Sequence, residues 1–556
     1  MTTSTDSGFN LLDEAWIVAL DTESRERELS ILELFEQSTQ LTTIGGEVPT
    51  QAFAITRLLL ALLHRALDGP EDSDDWRELW QLDELPMDRI RRYTDGVRKR
   101  FDLFDPVVPF FQVADLRTQN GEVSGLEKIV ADVPNGEPLF TTRSARDLRR
   151  IDASEAARWV VHTHAFDPSG IKSGPVGGSH VKNGKGYPIG PGWSGQIGAV
   201  LPHGRNLRET LLLNLIGNED NPYTTLRGAA DLPPWERDPD TAEWSERKPN
   251  GAIDLYTWQT RRIRLIGDRA GVTGVVLANG DKIVPRNRHD KEPHTCWRYS
   301  EPQSKKLKTT VYMPLIHNPE RLVWQGLQAY LPGSRKPHHL SAAGPPQRLA
   351  PGVLHWVGSL CSDGVLPGSY QAQIRVIGAE YGPQNATFTE MVDDMLPMRV
   401  VLLRADEPAI GQAAVDAVED AENVAKVVWR LAENISQAGG AEPQSGAGDR
   451  ARERLYAALD GPYRRWLSRL GPGTDVEVAR SDWQETVVEL VRPIVSEVIA
   501  AAPPSAWRGR EVNGRTVNVP LAELWSRAAL RKALPRATGP KNKQPVEPES
   551  SKEVAV

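Results

Sequence analysis

The sequence predicts an α+β protein, with a large mixed N-terminal globular domain over residues 1–390, a C-terminal four-helix bundle over 391–535 and a disordered tail over 536–556. Three observations carry that reading. Apolar alternation of strand type recurs between Arg262 and Gly378, long stretches of helical apolar spacing follow Thr387, and Pro535 to Val556 is rich in Pro, Lys and Glu. A chain of 556 residues exceeds what one core supports, and 39% hydrophobic with 25% charged residues is ordinary for globular domains.

Taken in order, Phe9 to Ala19 reads as a short strand or extended entry, and Ser30 to Gln37 has helical spacing at Ile31, Leu32, Leu34 and Phe35. Pro49-Thr50 opens a strong helix through Leu67, because proline is tolerated in a first turn whose N–H groups are unpaired anyway. Its apolar run is interrupted by Arg57 and is too short to span a membrane. A helix from Asp88 to Phe101 collects arginines on one side, Phe104 to Val113 is extended, and Lys128 to Leu148 is a loop, since Pro134-Asn135-Gly136 and Pro138 break any period. Ser154 is the expected cap of a helix through His164, and Asn206 to Ile216 is a short helix. From Arg262 the pattern turns to β: Val272–Leu277 and Ile283-Val284 flank Asn279-Gly280, a pair suited to two-residue hairpin turns because both residues tolerate φ > 0. Thr309–Ile316 and Gln371–Gly378 read as further strands. After Thr387 the chain is expected to be almost wholly helical, in segments 410–437, 450–470, 476–501 and 521–534.

One window stands out chemically. Pro168 to Arg208 contains no Asp or Glu but holds Lys172, Lys182, Lys185, Arg205, Arg208 and eleven glycines, in a protein of formal charge -8. Glycine backbone approaches a ligand surface closely and lysines attract phosphate, so the window reads as a nucleic-acid-facing loop; a flexible solvated loop is the plainer alternative. Arg89, Arg91, Arg92, Arg98, Lys99 and Arg100 form a second basic cluster, whereas Glu209 to Asp254 is acidic. This alternation suits a protein touching nucleic acid at chosen points and other proteins elsewhere. Two cysteines, Cys296 and Cys361, exclude a disulfide framework and fit a reducing cytoplasm, and the polar start gives no secretory signal.

Three stretches resemble a known family: NLLDEAWIVAL (Asn10–Leu20) with SILELFEQ and GGEVPTQAFAITRLLLALLHRAL, the glycine window ending in NLRETLLLNLI (Asn206–Ile216), and YGPQNATF (Tyr381–Phe388). Together they resemble the CasA family, the large subunit of the type I-E CRISPR surveillance complex Cascade. The resemblance implies a non-catalytic, cofactor-free subunit that works with other Cascade subunits and crRNA. It also implies reading of the protospacer-adjacent motif (PAM) of target double-stranded DNA from the minor groove, duplex opening, and recruitment of a helicase-nuclease. The residues that match are Gly174, Gly177 and Gly178 as the glycine loop, Lys306 with neighbouring Lys305 as the lysine finger, and Gln384-Asn385-Ala386 as the wedge, in an order that departs from the family's best-known version. The family's L1 loop, which contacts the crRNA end, falls on Lys128–Leu148, with Phe140 and Arg143 singled out.

These residue types suit the task. The minor groove presents mostly acceptors, which a donor-only ammonium reads, and glycine lets backbone approach the groove edge. Other motifs carry less. Gly190, Gly192 and Gly195 match G-x-G-x-x-G without a buried strand before them, His162 and His164 diverge on their helix, and His289, His294 and Cys296 lack a second cysteine, so no metal is expected. Two other functions compete: a carbohydrate-active hydrolase using some of the 16 tryptophans as platforms, and a purely structural scaffold of an RNA–protein assembly.

Overall fold

The computed structural model describes residues 8–133, 141, 143–144, 148–218, 230–332 and 346–538. Phe140 and the tail beyond 538 lie outside them. By internal contacts the chain divides into two units, between Gly411 and Gln412.

The first unit is built around the helix Pro49–Leu67, buried on nearly every face. Its Leu- and Ala-rich sequence is apolar all round, which suits a core helix. Arg57, which breaks that run, is 1% exposed and pairs with the fully buried Glu292 at 2.8 Å. Glu292 also accepts from the Trp193 indole at 2.6 Å, so one carboxylate ties three distant segments together. Small antiparallel sheets surround this helix: Ile17–Asp21 lies between Glu26–Leu29 and Leu41–Ile44, and Gln371–Tyr381 lies between Phe388–Arg399 and Ala199–His203. Asp152, not Ser154, caps the helix Ala153–Phe166, its carboxylate accepting the Glu155 N–H at 2.7 Å.

Two expectations about β structure are corrected. The hairpin Arg261–Asp268/Gly271–Asn279 turns at Arg269-Ala270, whereas Asn279 closes the far end of the ladder opposite Arg261. Gly280 is there for close approach, since a Cβ would collide with the Gln259 carbonyl and the Arg261 backbone. The region after Thr387 does not become helical at once. Phe388–Arg399 is a twelve-residue strand, paired with Gln371–Tyr381 from Gln371↔Arg399 to Tyr381↔Phe388, and long-range pairing here overrides the local pattern.

The second unit is helical, with Ala409–Gly439, Ala447–Arg469, Val476–Ala500 and Val519–Ala533 as its long helices. Tyr463 donates to the Ala414 carbonyl, Trp483 to that of Ala417, and Arg480 bridges Asp416 and Asp420 at 2.8 and 2.7 Å. Val519 and Ala522 pack with Leu431 and Ile435. A ribbon, Arg510–Val512/Arg515–Val517, turns at Asn513-Gly514, both with φ > 0.

Candidate nucleic-acid interface

The wedge residues sit at the tip of the hairpin formed by Gln371–Tyr381 and Phe388–Arg399. Gln384 and Asn385 have φ of 59° and 55°, and both side chains are exposed. Left-handed backbone is uncommon for non-glycine residues and costs about 1–2 kcal/mol each, and such conformations cluster at functional sites. Backbone bonds hold them there: Asn385 N–H donates to the Gly382 carbonyl and Gly382 N–H to that of Thr387, both at 2.9 Å. The stem is anchored where Tyr381 donates its hydroxyl to the Phe166 carbonyl at 2.7 Å.

Within the glycine window a small sheet forms, Lys172–Ser173 and Val181–Lys182 flanking Lys185–Gly186, with Asn183-Gly184 as its left-handed turn. Gly174 packs so tightly against Val181 and Gly184 that a Cβ has no room. Gly177 is exposed, with φ +87° in the turn closed by Gly178 N–H to the Pro175 carbonyl at 3.3 Å. Val176 N–H donates to the Arg117 carbonyl, and Glu243 accepts from the Ser179 N–H and hydroxyl at 2.6 and 2.5 Å. Those hydrogen bonds from Ser179 hold the Glu243 carboxyl below its usual pKa.

The root of the window is a buried charge cluster. Asp167 accepts from Arg261 and pairs with Lys172 at 2.6 Å, while Arg261 also donates to the carbonyls of Pro168 and Gly190, both at 3.0 Å. Burial alone would raise the Asp167 pKa, but the two cations outweigh it and hold it low. The Lys172 pKa is also lowered, by burial first, with Asp167 opposing. One carboxylate faces two cations, a guanidinium does not give up its proton, and the ammonium is therefore the labile member.

This changes the reading of the window's charge. Lys172 is spent internally, Arg208 donates to the carbonyls of Leu79, Trp80 and Leu82, and Arg205 pairs with Glu209 at 2.6 Å. Only Lys182 and Lys185 are left exposed without a partner among the described residues. The second basic cluster is likewise largely internal: Arg89 caps the Leu67 carbonyl, Arg91 meets Glu36, Arg98 meets Asp13 and Asp95, and Arg100 holds the Pro234 and Arg237 carbonyls.

Lys305 and Lys306 lie on a seven-residue helix, Glu301–Leu307, inserted between the paired strands Trp297–Tyr299 and Tyr312–Pro314. The helix is held by the Ser304 hydroxyl, which donates to the Ser300 carbonyl and accepts from Val311 N–H at 2.9 Å. Lys305 pairs with Glu301 at 2.7 Å, and Lys306 is exposed with no partner among the described residues. Arg143 pairs with Asp132 and Glu155 at 2.9 and 2.7 Å.

Two hollows border the wedge. A cleft of about 630 Å³ brings Asn385 together with Arg298 and Met313 of the strands that carry the lysine helix. A smaller groove brings Ala386 and Thr387 together with Lys128 and Ile129 and with Lys172 at the root of the glycine window. Gly177 and Lys306 line neither. Sequence reading missed Glu243 and the Asp167–Arg261 cluster, because their partners lie far along the chain. Trp16, Trp76, Trp159, Trp193, Trp297, Trp324, Trp356 and Trp483 are each under 2% exposed, so these eight form core rather than sugar platforms. His162 and His164 are buried, facing Thr50 and the Phe111 carbonyl, and no group of three potential ligands able to hold a metal occurs among the described residues.

A family model described as CRISPR-associated protein Cse1 matches residues 10–494. The chain belongs to the CRISPR-associated protein Cse1 family. This is the CasA family of large Cascade subunits, which places the chain in CRISPR antiviral defence. The CasA/Cse1 protein of Thermus thermophilus is 29% identical over 502 residues, spanning 86% of this chain and 90% of that protein. Among solved structures, Thermobifida fusca Cse1 superposes with a TM-score of 0.89 at 45% identity, covering 97% of this chain and 100% of that one. Acidimicrobium ferrooxidans Cse1 superposes at 0.80 with 31% identity, covering 96% and 99%. At 18% identity, a chain of a CRISPR RNA-guided surveillance complex shares the Cse1 fold, with a TM-score of 0.65 over 89% and 98%.

Proposed function

We propose that this Cse1-family chain is a non-catalytic subunit of a crRNA-guided surveillance complex, where it reads the PAM of duplex DNA from the minor groove and opens the duplex beside it. The Gln384-Asn385 turn carries this reading. It presents two exposed amides in left-handed backbone at the tip of a long, well-paired hairpin, a rigid stem under a small polar head. A head of that size can enter between base steps, where unstacking costs a few kcal/mol that contacts to the opened strands recover. Ala386 completes the wedge. Lys306, without a partner among the described residues, supplies an ammonium for groove acceptors, Lys305 adds a neighbouring charge, and Gly177 and Gly178 give the Pro175–Gly178 turn an edge without side chains, with Gly174 packed before it. Sequence specificity beyond the PAM passes to guide pairing. Arg143 of the L1 segment is committed to Asp132 and Glu155. Recruitment of the helicase-nuclease and a cytoplasmic setting complete the reading.

The test is duplex binding by the assembled complex, wild type against Lys306→Ala, with the PAM intact or scrambled. The substitution is expected to weaken intact-PAM binding by about 1–2 kcal/mol and to leave scrambled-PAM binding nearly unchanged. Equal losses on both duplexes reduce Lys306 to a generic phosphate contact and defeat the reading. The wedge is tested by Gln384→Ala/Asn385→Ala, whose binding defect should vanish on a duplex already unpaired next to the PAM.

A further inference from the structure

The hairpin that carries the wedge also carries a charge arrangement that base opening does not use. Glu380 and Glu390 stand directly opposite each other across its two strands. Like charges in that position repel and destabilise a sheet, and neither carboxylate meets a cation among the described residues. Both border the 630 Å³ cleft, where Glu320 adds a third carboxylate against one cation, Arg298. The lining also includes the apolar side chains of Pro285, Met313 and Ile316, with Ile316 left 52% exposed.

We infer that this cleft is a docking site for a basic, apolar segment of a partner protein. A lysine of that segment sits between Glu380 and Glu390, and its aliphatic part covers Met313 and Ile316. Charge decides the class of occupant. A nucleic-acid strand would set phosphates against three carboxylates, whereas a cationic peptide relieves the Glu380–Glu390 repulsion and removes Ile316 from water. Asn385 lines the same cleft, so a segment seated there also braces the base of the wedge turn. The inference rests on the reading that this chain works inside an assembly.

The test uses the chain assembled with its fellow subunits and guide RNA, and the double variant Glu380→Gln/Glu390→Gln. In the isolated chain the melting temperature should hold or rise, because the repulsion is gone. In the assembly, the dissociation constant for this subunit should rise about tenfold at low salt, with a flatter salt dependence. In the wild-type complex, carbodiimide coupling should join Glu380 or Glu390 to a lysine of another subunit, and the variant should lose that link. Unchanged affinity, or no such link, overturns the inference. A lower melting temperature makes the pair structural and overturns it as well. Tighter duplex binding with unchanged assembly assigns the cleft to nucleic acid instead. A wild-type chain that fails to join the complex counts against the proposed function, and is seen before any variant is compared.

Discussion

The two units of the chain are held together by different kinds of contact. In the first, buried charges join residues far apart in sequence: Arg57 reaches Glu292, Arg261 reaches Asp167, and Arg158 reaches Glu28 and Glu47. In the second, the aromatic core of Tyr463, Trp466 and Trp483 lies between the second and third long helices, and Arg480 of the third reaches Asp416 and Asp420 of the first. All eleven histidines fall in the first unit and none in the second. The positions of the loops in the first unit therefore depend on long-range polar contacts, whereas the second is assembled from long regular helices.

That contrast is sharpest under substitution. Asp167→Asn leaves Arg261 and Lys172 buried without their carboxylate, which should cost the first unit roughly 3–5 kcal/mol. Calorimetry should show one transition falling while that of the helical unit stays in place, and hydrogen exchange should quicken across the glycine window. Arg480→Ala is the mirror experiment. It strands Asp420 and should lower only the second unit's transition, by roughly 3 kcal/mol. Two transitions that move together in both variants would erase the distinction.

Acid should separate the units next. Burial lowers the pKa values of His162, His164 and His203 to about 3, so between roughly pH 6.5 and 3 the unfolded first unit holds protons that the folded one refuses. Its stability should fall as pH falls through that window, by about 1.4 kcal/mol per pH unit for each histidine. In the second unit burial raises the Asp420 pKa, against Arg480 and Gln484, so the folded form takes up that proton first and acid favours folding there. A calorimetric series from pH 7 to 5 should move the first transition down and spare the second. The smallest effect belongs to the wedge. Gln384→Gly or Asn385→Gly should hold stability or raise it by up to about 1 kcal/mol, since glycine takes left-handed backbone freely. The same variants should slow duplex opening, read by the reactivity of unpaired thymines next to the PAM.

Legibility in the sequence followed the same division. The four long helices of the second unit match their expected spans to within three residues at either end, because helical periodicity is a local signal. Asn-Gly pairs illustrate the opposite case. Asn183-Gly184 and Asn513-Gly514 are left-handed hairpin turns, but Asn279-Gly280, the one read as a turn, is a close-approach site at a strand end. The dipeptide is the same; what differs is the backbone packed against it. The strand Phe388–Arg399 was hidden for a related reason, since its pairing partner sets its conformation. At the candidate interface, the resemblance singles out Gly177, Lys306, Gln384 and Asn385, all of them exposed. Their supports were not legible, because Glu243 and Arg261 lie 64 and 94 residues from Ser179 and Asp167.

Arg261 grips the carbonyls of Pro168 and Gly190 with a single guanidinium nitrogen, so the stretch between them leaves and re-enters the body at one point. Beyond that neck, Val176, Ser179 and Tyr187 are each tied to a different part of the body, at Arg117, Glu243 and Asn279. Only the short spans between these ties are free to vary in length, and doubling such a span adds only about 0.6 kcal/mol of closure entropy. Insertions can therefore accumulate between the ties while the neck and the ties stay constant.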